Sequence, residues 1–157
     1  ILRTLTPLIK PLTLEELKSR ATLFITMSNS NSIGLKLENE IESLLKENNV
    51  EFVKSAILRC SINHTPDFTI PNDKNPKAVI EVKFNSGRAS LARAKEIAFT
   101  SMDLKTNFKD MIFIVFLRGK WTPSAERLLR KWVDFVIEDD LNKLVETVKF
   151  KIHNKIL

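Results

Sequence analysis

The 157-residue chain is 43% apolar, has a formal net charge of +6 and carries one cysteine, Cys60. That length and apolar share suit one ordinary domain with a buried core, the single thiol excludes an intrachain disulfide framework, and no apolar run reaches the length of a membrane span. The basic balance, with a pI of about 9.5, suits a polyanionic partner, and the lone cysteine fits a reducing, cytoplasmic setting.

The N-terminus lacks the pattern of a secretory signal. The chain opens on Ile1 rather than Met, so it is expected to be a fragment or a trimmed chain, with an upstream domain left open. Ile1–Pro11 holds two prolines and is expected to be extended or irregular. Thr13-Leu14-Glu15-Glu16 has the Thr-x-x-Glu form of a capping box and starts a helix expected to run to about Thr22–Thr26. Ser28-Asn29-Ser30-Asn31-Ser32 reads as a polar loop. It separates an N-terminal helical extension, residues 1–32, from an α/β domain, residues 33–157.

Ile33, Leu37, Ile41, Leu44 and Leu45 recur at spacings of three and four, which predicts a helix from Ile33 to about Glu47. Glu38 lies at the edge of its apolar face, while Glu40, Glu42 and Glu47 point more nearly to solvent. Asn48-Asn49 ends this helix, and Val50–Arg59 is the expected first strand. Cys60 and His64 stand four apart, but no second Cys/His pair completes a zinc site. They are expected to be a small buried thiol and a loop histidine.

Pro66-Asp67-Phe68-Thr69-Ile70 and Ala78-Val79-Ile80-Glu81-Val82-Lys83-Phe84 are two short apolar runs with charge inside them. The connector Pro71-Asn72-Asp73-Lys74-Asn75-Pro76 is almost pure turn chemistry, so the pair reads as a hairpin. Alternation puts Val79, Glu81 and Lys83 on one face and Ala78, Ile80, Val82 and Phe84 on the other. After Asn85-Ser86-Gly87 a helix is expected from Arg88 to about Leu104. It turns Leu91, Ala92, Ile97, Ala98 and Met102 to the core and leaves Arg88, Arg93, Lys95 and Lys105 as basic positions.

Met111–Leu117 is continuously apolar and reads as a strand buried on both faces, ending in Arg118-Gly119-Lys120. Thr122-Pro123 starts a helix whose stripe is Leu128, Leu129, Trp132, Val133 and Val136, with Arg127, Arg130 and Lys131 gathered opposite. Asp139-Asp140 opens a further helical turn through Leu141, Leu144 and Val145. Val148–Leu157 reads as a last strand or a frayed end. The fold class is α/β: a mixed central sheet with helices on both faces and a right-handed crossover from the second hairpin strand to the Met111 strand.

A carboxylate and an ammonium inside a β-branched run are costly to bury unless something pairs them. Asp67 and Glu81, on adjacent strands, offer the oxygen ligands a hard divalent cation such as Mg²⁺ takes. Lys83, on the face of Glu81, is placed to orient or help deprotonate an attacking water, or to stabilise transition-state charge. Metal, nucleophile and countercharge in one place suit hydrolysis of a phosphodiester.

Pro66-Asp67, the spacer 68–80 and Glu81-Val82-Lys83 resemble the PD-(D/E)xK signature of the restriction-endonuclease-like nuclease superfamily. Ala78-Val79-Ile80 matches the apolar context before the glutamate, and Gly34-Leu35-Lys36-Leu37-Glu38 is similar to the family's first core helix. The likeness covers roughly Ile33 to Lys120. It implies a Mg²⁺-dependent endodeoxyribonuclease, with Mn²⁺ substituting, most like a type II restriction endonuclease catalytic domain. Asp67 and Glu81 are then metal ligands, Lys83 the water-activating or charge-stabilising lysine and Glu38 an accessory carboxylate. The implied partner is double-stranded DNA, met as a homodimer or as part of a larger chain in a prokaryotic cytoplasm. Arg88, Lys95, Arg118 and Lys120 are the candidate phosphate-backbone contacts. A structure-selective nuclease of repair or recombination, and an inactive DNA-binding domain on the same fold, are the alternatives.

Overall fold

The computed structural model describes residues 13–87 and 90–153, the side chains of 24–30 and 152–153 excepted. The expected segment Ile1–Pro11, Arg88 and the last four residues lie outside these. Helix α1 spans Leu14–Glu47 and opens on the anticipated box: Glu16 N–H donates to Thr13 Oγ1 at 3.2 Å, and Thr13 N–H donates to Glu16 Oε2 at 2.8 Å. It is one helix. The loop expected at Ser28–Ser32 is absent, because Ser and Asn each cost only about 0.5 kcal/mol in a helix and neither Pro nor Gly interrupts the run. Leu14, Leu17, Leu23 and Ile33 are exposed, and the buried face begins at Leu37 and continues through Ile41 and Leu45.

The expected strand Val50–Arg59 is instead two fragments. Strand β1 (Val53–Lys54) joins the main sheet, while β2 (Leu58–Arg59) pairs with β3 (Asn63–His64) in a small separate hairpin. Ser55, at φ 52°, turns the chain between them. Strands β4 (Phe68–Ile70) and β5 (Ala78–Ser86) form the expected antiparallel hairpin, with Phe68 opposite Ile80 and Ile70 opposite Ala78. Its connector is organised by Asn72, whose side-chain oxygen accepts from the amides of Lys74 and Asn75 at 3.1 Å each.

Helix α2 (Ser90–Asn107) leads to β6 (Ile112–Lys120), which lies parallel to β5 over the full length of both strands. Helix α3 (Pro123–Trp132) is capped by Thr122, and β7 (Phe135–Glu138) then pairs parallel with β6. Helix α4 covers Leu141–His153. The mixed five-stranded sheet runs β1-β4-β5-β6-β7. Helices α1 and α4 pack on one face through Leu37, Ile41, Leu45, Leu144 and Val148, and α2 and α3 on the other through Ala94, Ile97, Leu104 and Leu129. Strand β6 lies between β5 and β7, and its apolar run Ile112–Leu117 is buried on both faces.

Val136 belongs to β7 rather than to the stripe of α3. Asp134 makes that switch: its amide donates to Phe113 O at 3.1 Å, and its carboxylate accepts from Phe113 N–H at 2.8 Å, drawing the chain onto the sheet edge. Trp132, expected in the core, is 37% exposed at the end of α3. Leu91, Ala92 and Met102 face solvent, because α2 turns Ser90, Ala94, Ile97, Ala98, Ser101 and Leu104 inward instead. The segment Val148–His153, expected as a strand or frayed end, completes α4, whose stripe Leu144, Val145 and Val148 covers the sheet.

The connection from β6 depends on a glycine. Gly119 has φ +93°, and a Cβ there would lie 2.2 Å from Asn85 O. Only glycine lets the ends of β5 and β6 approach this closely, and Asn85 Nδ2 then donates to Lys120 O at 2.7 Å.

Candidate active site

Strand β5 continues past the end of its partner β4, so the Val82 amide has no strand carbonyl to meet on that side. Asp67, one residue before β4, takes its place: Oδ2 accepts from Val82 N–H at 2.6 Å. The hairpin register extended by one position sets Asp67 opposite Glu81. The carboxylate is therefore fixed by backbone geometry, at the point where the paired hairpin gives way to a free strand edge.

Glu81 is buried, and its neighbour on the same face, Lys83, reaches back to it. Lys83 Nζ lies 2.5 Å from Glu81 Oε2 and 3.5 Å from Asp67 Oδ2, so one ammonium is held by two carboxylates. Burial is the largest influence on Glu81 and raises its pKa above the usual glutamate value. Lys83 works against the rise, and Asp67 adds to it through its charge and a shared hydrogen bond. For Lys83 burial opposes the charge, but the Glu81 and Asp67 carboxylates outweigh it and hold its pKa above the ordinary lysine value. The Coulomb scale agrees, since opposite unit charges about 4 Å apart attract by about 4 kcal/mol at an effective dielectric of 20.

Glu38 reaches the same place from α1, on the other face of the sheet. Burial, then the Asp67 charge, raises its pKa, while Lys54 and Lys83 pull it down. Lys54, on β1, was not singled out from the sequence. Its Nζ lies 3.0 Å from Glu42 Oε2 and 3.9 Å from Glu38 Oε2, and it stands 5.8 Å from the centre of the Phe68 ring. The hairpin end thus gathers Asp67, Glu81, Glu38 and Lys83, with Lys54 beside Glu38.

Two concavities flank this group. One, of about 280 Å³, is lined by Glu81, Lys83, Arg93, Glu96, Ile97 and Thr100. The other, of about 320 Å³, is lined by Asn31, Gly34, Leu35, Glu38, Phe84 and Arg93. Gly34 has no atom within 4 Å of where a Cβ would stand, so this wall is open. Arg93 lines both.

The other basic candidates sit apart from the carboxylates. Lys95 is exposed on α2, and Lys120 is exposed at the end of β6. Arg118 is engaged internally: Nε lies 2.5 Å from Asp139 Oδ1 and Nη1 3.0 Å from Glu40 Oε2. Arg88 lies outside the described residues. In the group Arg127, Arg130 and Lys131, Arg130 is paired with Glu138 and Lys131 lies over the Trp132 ring. Away from the site, His64, expected in a loop, lies buried on β3, where its Nε2 meets Asp103 Oδ2 at 2.7 Å and ties the β2–β3 hairpin to α2; Cys60, expected to be buried, is only partly so.

Among the described residues no three His, Cys, Asp or Glu side chains are grouped to hold a metal ion. The donor set nevertheless fits Mg²⁺, which is commonly held by one or two carboxylates and takes its remaining ligands from water and phosphate oxygens. Asp67 and Glu81 supply two such groups, and both already hold a cation in the form of the Lys83 ammonium. Comparison with protein-family models, with curated proteins and with solved structures finds no match to the chain.

Proposed function

We propose that the chain is a Mg²⁺-dependent endodeoxyribonuclease of PD-(D/E)xK type, built as the catalytic domain of a type II restriction endonuclease and hydrolysing phosphodiester bonds in double-stranded DNA. One observation carries this reading: Lys83 Nζ stands between Glu81 on β5 and Asp67 just before β4, at 2.5 and 3.5 Å, and Glu81 and Lys83 line a concavity with Arg93 and Glu96. The second acid, Asp67, is held in place by the Val82 amide, which fixes both carboxylates on the same ammonium.

Asp67 and Glu81 would hold the metal, with Mn²⁺ able to substitute, and Glu38 stands close enough to feel the Asp67 charge. When bound, Mg²⁺ supplies Lewis-acid polarisation of a phosphate oxygen and acidifies a coordinated water. Lys83 is held in its charged form by its two neighbours, which favours countercharge to the developing phosphorane, and orientation of the water, over proton abstraction. One such site serves one strand, so cleavage of both strands calls for two copies, as a homodimer or within a larger assembly. No described helix is long and apolar enough to cross a membrane. A restriction role would put the protein in a prokaryotic cytoplasm.

A second reading, a nuclease selective for branched or otherwise distorted DNA, is favoured by one feature. From β5 onward the described connections are all short, so few loops extend from the fold to read base edges, whereas shape readout needs fewer. The test uses supercoiled plasmid and branched duplexes, each with and without Mg²⁺. Discrete plasmid fragments support restriction, and cutting confined to branches supports the second reading. Absence of cleavage with every DNA and metal would remove the enzyme class and leave a DNA-binding domain.

A further inference from the structure

Arg93 lines the concavities on both sides of the acidic cluster, and it was not among the DNA contacts expected from the sequence. It sits in the first turns of α2, where a cation meets the unfavourable end of the helix dipole, and no acidic residue occupies that first turn. Its assigned partner is a neutral one: Nη1 donates to Phe84 O at 2.7 Å, one residue beyond Lys83. Arg118 and Arg130, by contrast, are neutralised by carboxylates. Among the described residues Arg93 forms no such ion pair. It is exposed and lines both the concavity of Glu81 and Lys83 and the concavity of Glu38 and Gly34.

A guanidinium presents five donors in a rigid fork that matches a phosphate, and one bond to a carbonyl leaves the others available. The strand carbonyl fixes where the fork points without cancelling its charge. We propose that Arg93 is a phosphate-binding residue of this site, contacting the backbone phosphate at or next to the one that is cut. The proposal rests on the nuclease reading for its substrate class. It makes Arg93 the group that bridges the two concavities, so that the strand would lie across α2 between Lys83 and Gly34.

The test compares the unsubstituted protein with Arg93→Ala, Arg93→Gln and Arg93→Lys. A short fluorescein-labelled duplex in EDTA reports binding, and single-turnover cleavage with Mg²⁺ reports chemistry. Gln keeps an amide donor without charge and Lys keeps the charge without the fork, so the two together separate a charge contact with phosphate from a clasp on the end of β5. Arg93→Gln and Arg93→Ala should each lower affinity about tenfold and reduce the slope of log affinity against log salt by about one. Arg93→Lys should retain most of the slope. Cleavage should fall about 10²-fold in the Gln and Ala variants. Unchanged slope and rate in Arg93→Gln would overturn the assignment while leaving the nuclease reading intact. Arg93-dependent binding without cleavage by the unsubstituted protein would overturn only the nuclease reading, and absence of DNA binding by that protein would overturn both.

Discussion

The Lys83 ammonium lies 2.5 Å from the buried Glu81 carboxylate, on the same face of one strand and two residues away. Two successive same-face positions on a strand are ordinarily too far apart for such a contact unless the longer side chain bends back. Lys83 does so because Asp67, across the hairpin, adds a second negative charge in that direction. On the proposed reading a divalent metal would compete with this ammonium for one pair of carboxylates.

Metal affinity should therefore depend on pH through Glu81. Its folded pKa is raised by burial and by Asp67, and Mg²⁺ takes only the ionised form, so affinity should rise as pH climbs through that raised value. Titration calorimetry in buffers of different ionisation enthalpy should detect proton release on binding. The release should shrink at pH values well above the glutamate range and vanish in Glu81→Gln.

Removing Lys83 should separate binding from chemistry. In Lys83→Met the competing cation is gone, so at alkaline pH Mg²⁺ should bind more tightly than in the unsubstituted protein. Cleavage should nevertheless fall by about 10² or more, because the countercharge is lost. Without metal the variant should lose about 1–2 kcal/mol of stability, a discounted value since the Lys83 side chain is 34% exposed. Added Mg²⁺ should restore part of it. Denaturant melts with and without metal check both statements.

Stability should carry the same signature in acid. An acid with a raised folded pKa makes the folded state bind protons more tightly than the unfolded chain. Its contribution is then most favourable below the unfolded glutamate value and is lost as pH rises through the folded one. The stability difference, Glu81→Gln minus unsubstituted, should therefore move in favour of the variant as pH rises across that window. Urea melts at a series of pH values read it directly, and a difference moving the other way would show that the pair lowers the Glu81 pKa.

Gly119 is the backbone requirement at the far end of β5 and β6. Gly119→Ala sets a Cβ 2.2 Å from Asn85 O at a positive φ, and should cost about 2 kcal/mol or more in thermal or chemical unfolding. Gly34→Ala is the matched control. It meets nothing within 4 Å and should leave stability unchanged or slightly improved, since alanine favours a helix.

Arg118 and Lys120 should behave differently towards DNA although they are two residues apart. Arg118 is held by Asp139 and Glu40, whereas Lys120 is exposed with its charge available to a phosphate. Lys120→Ala should reduce the salt slope of duplex binding by about one, and Arg118→Ala should leave it nearly unchanged.

Much of this architecture could be read from residue pattern alone, for identifiable reasons. The Thr13–Glu16 box, the Pro71–Pro76 turn, the apolar run into β6 and the Thr122-Pro123 cap are local signals, and each has local consequences. What was not legible depends on distant partners. β7 exists because Asp134 bonds to Phe113, and the two-residue strands β1 and β2 have too little sequence to carry an alternation. The continuity of α1 through Ser28–Ser32 was hidden because polar composition mimics a loop. At the site, Asp67, Glu81 and Lys83 were legible because a strand period puts 81 and 83 together and a hairpin brings 67 alongside. Lys54 and Arg93 were not, since lysine and arginine are common throughout the chain and only the packing of β1 and of α2 shows which of them turn towards the trio.

The most direct measurement is nicking of supercoiled plasmid over a Mg²⁺ titration, comparing the unsubstituted protein with Glu81→Ala and Lys83→Ala, each confirmed to be folded. The account predicts saturable, Mg²⁺-dependent nicking by the unsubstituted protein that EDTA abolishes and both variants lose. Equal nicking by all three proteins, or none by the unsubstituted protein with Mg²⁺ or Mn²⁺ on any DNA, would contradict it.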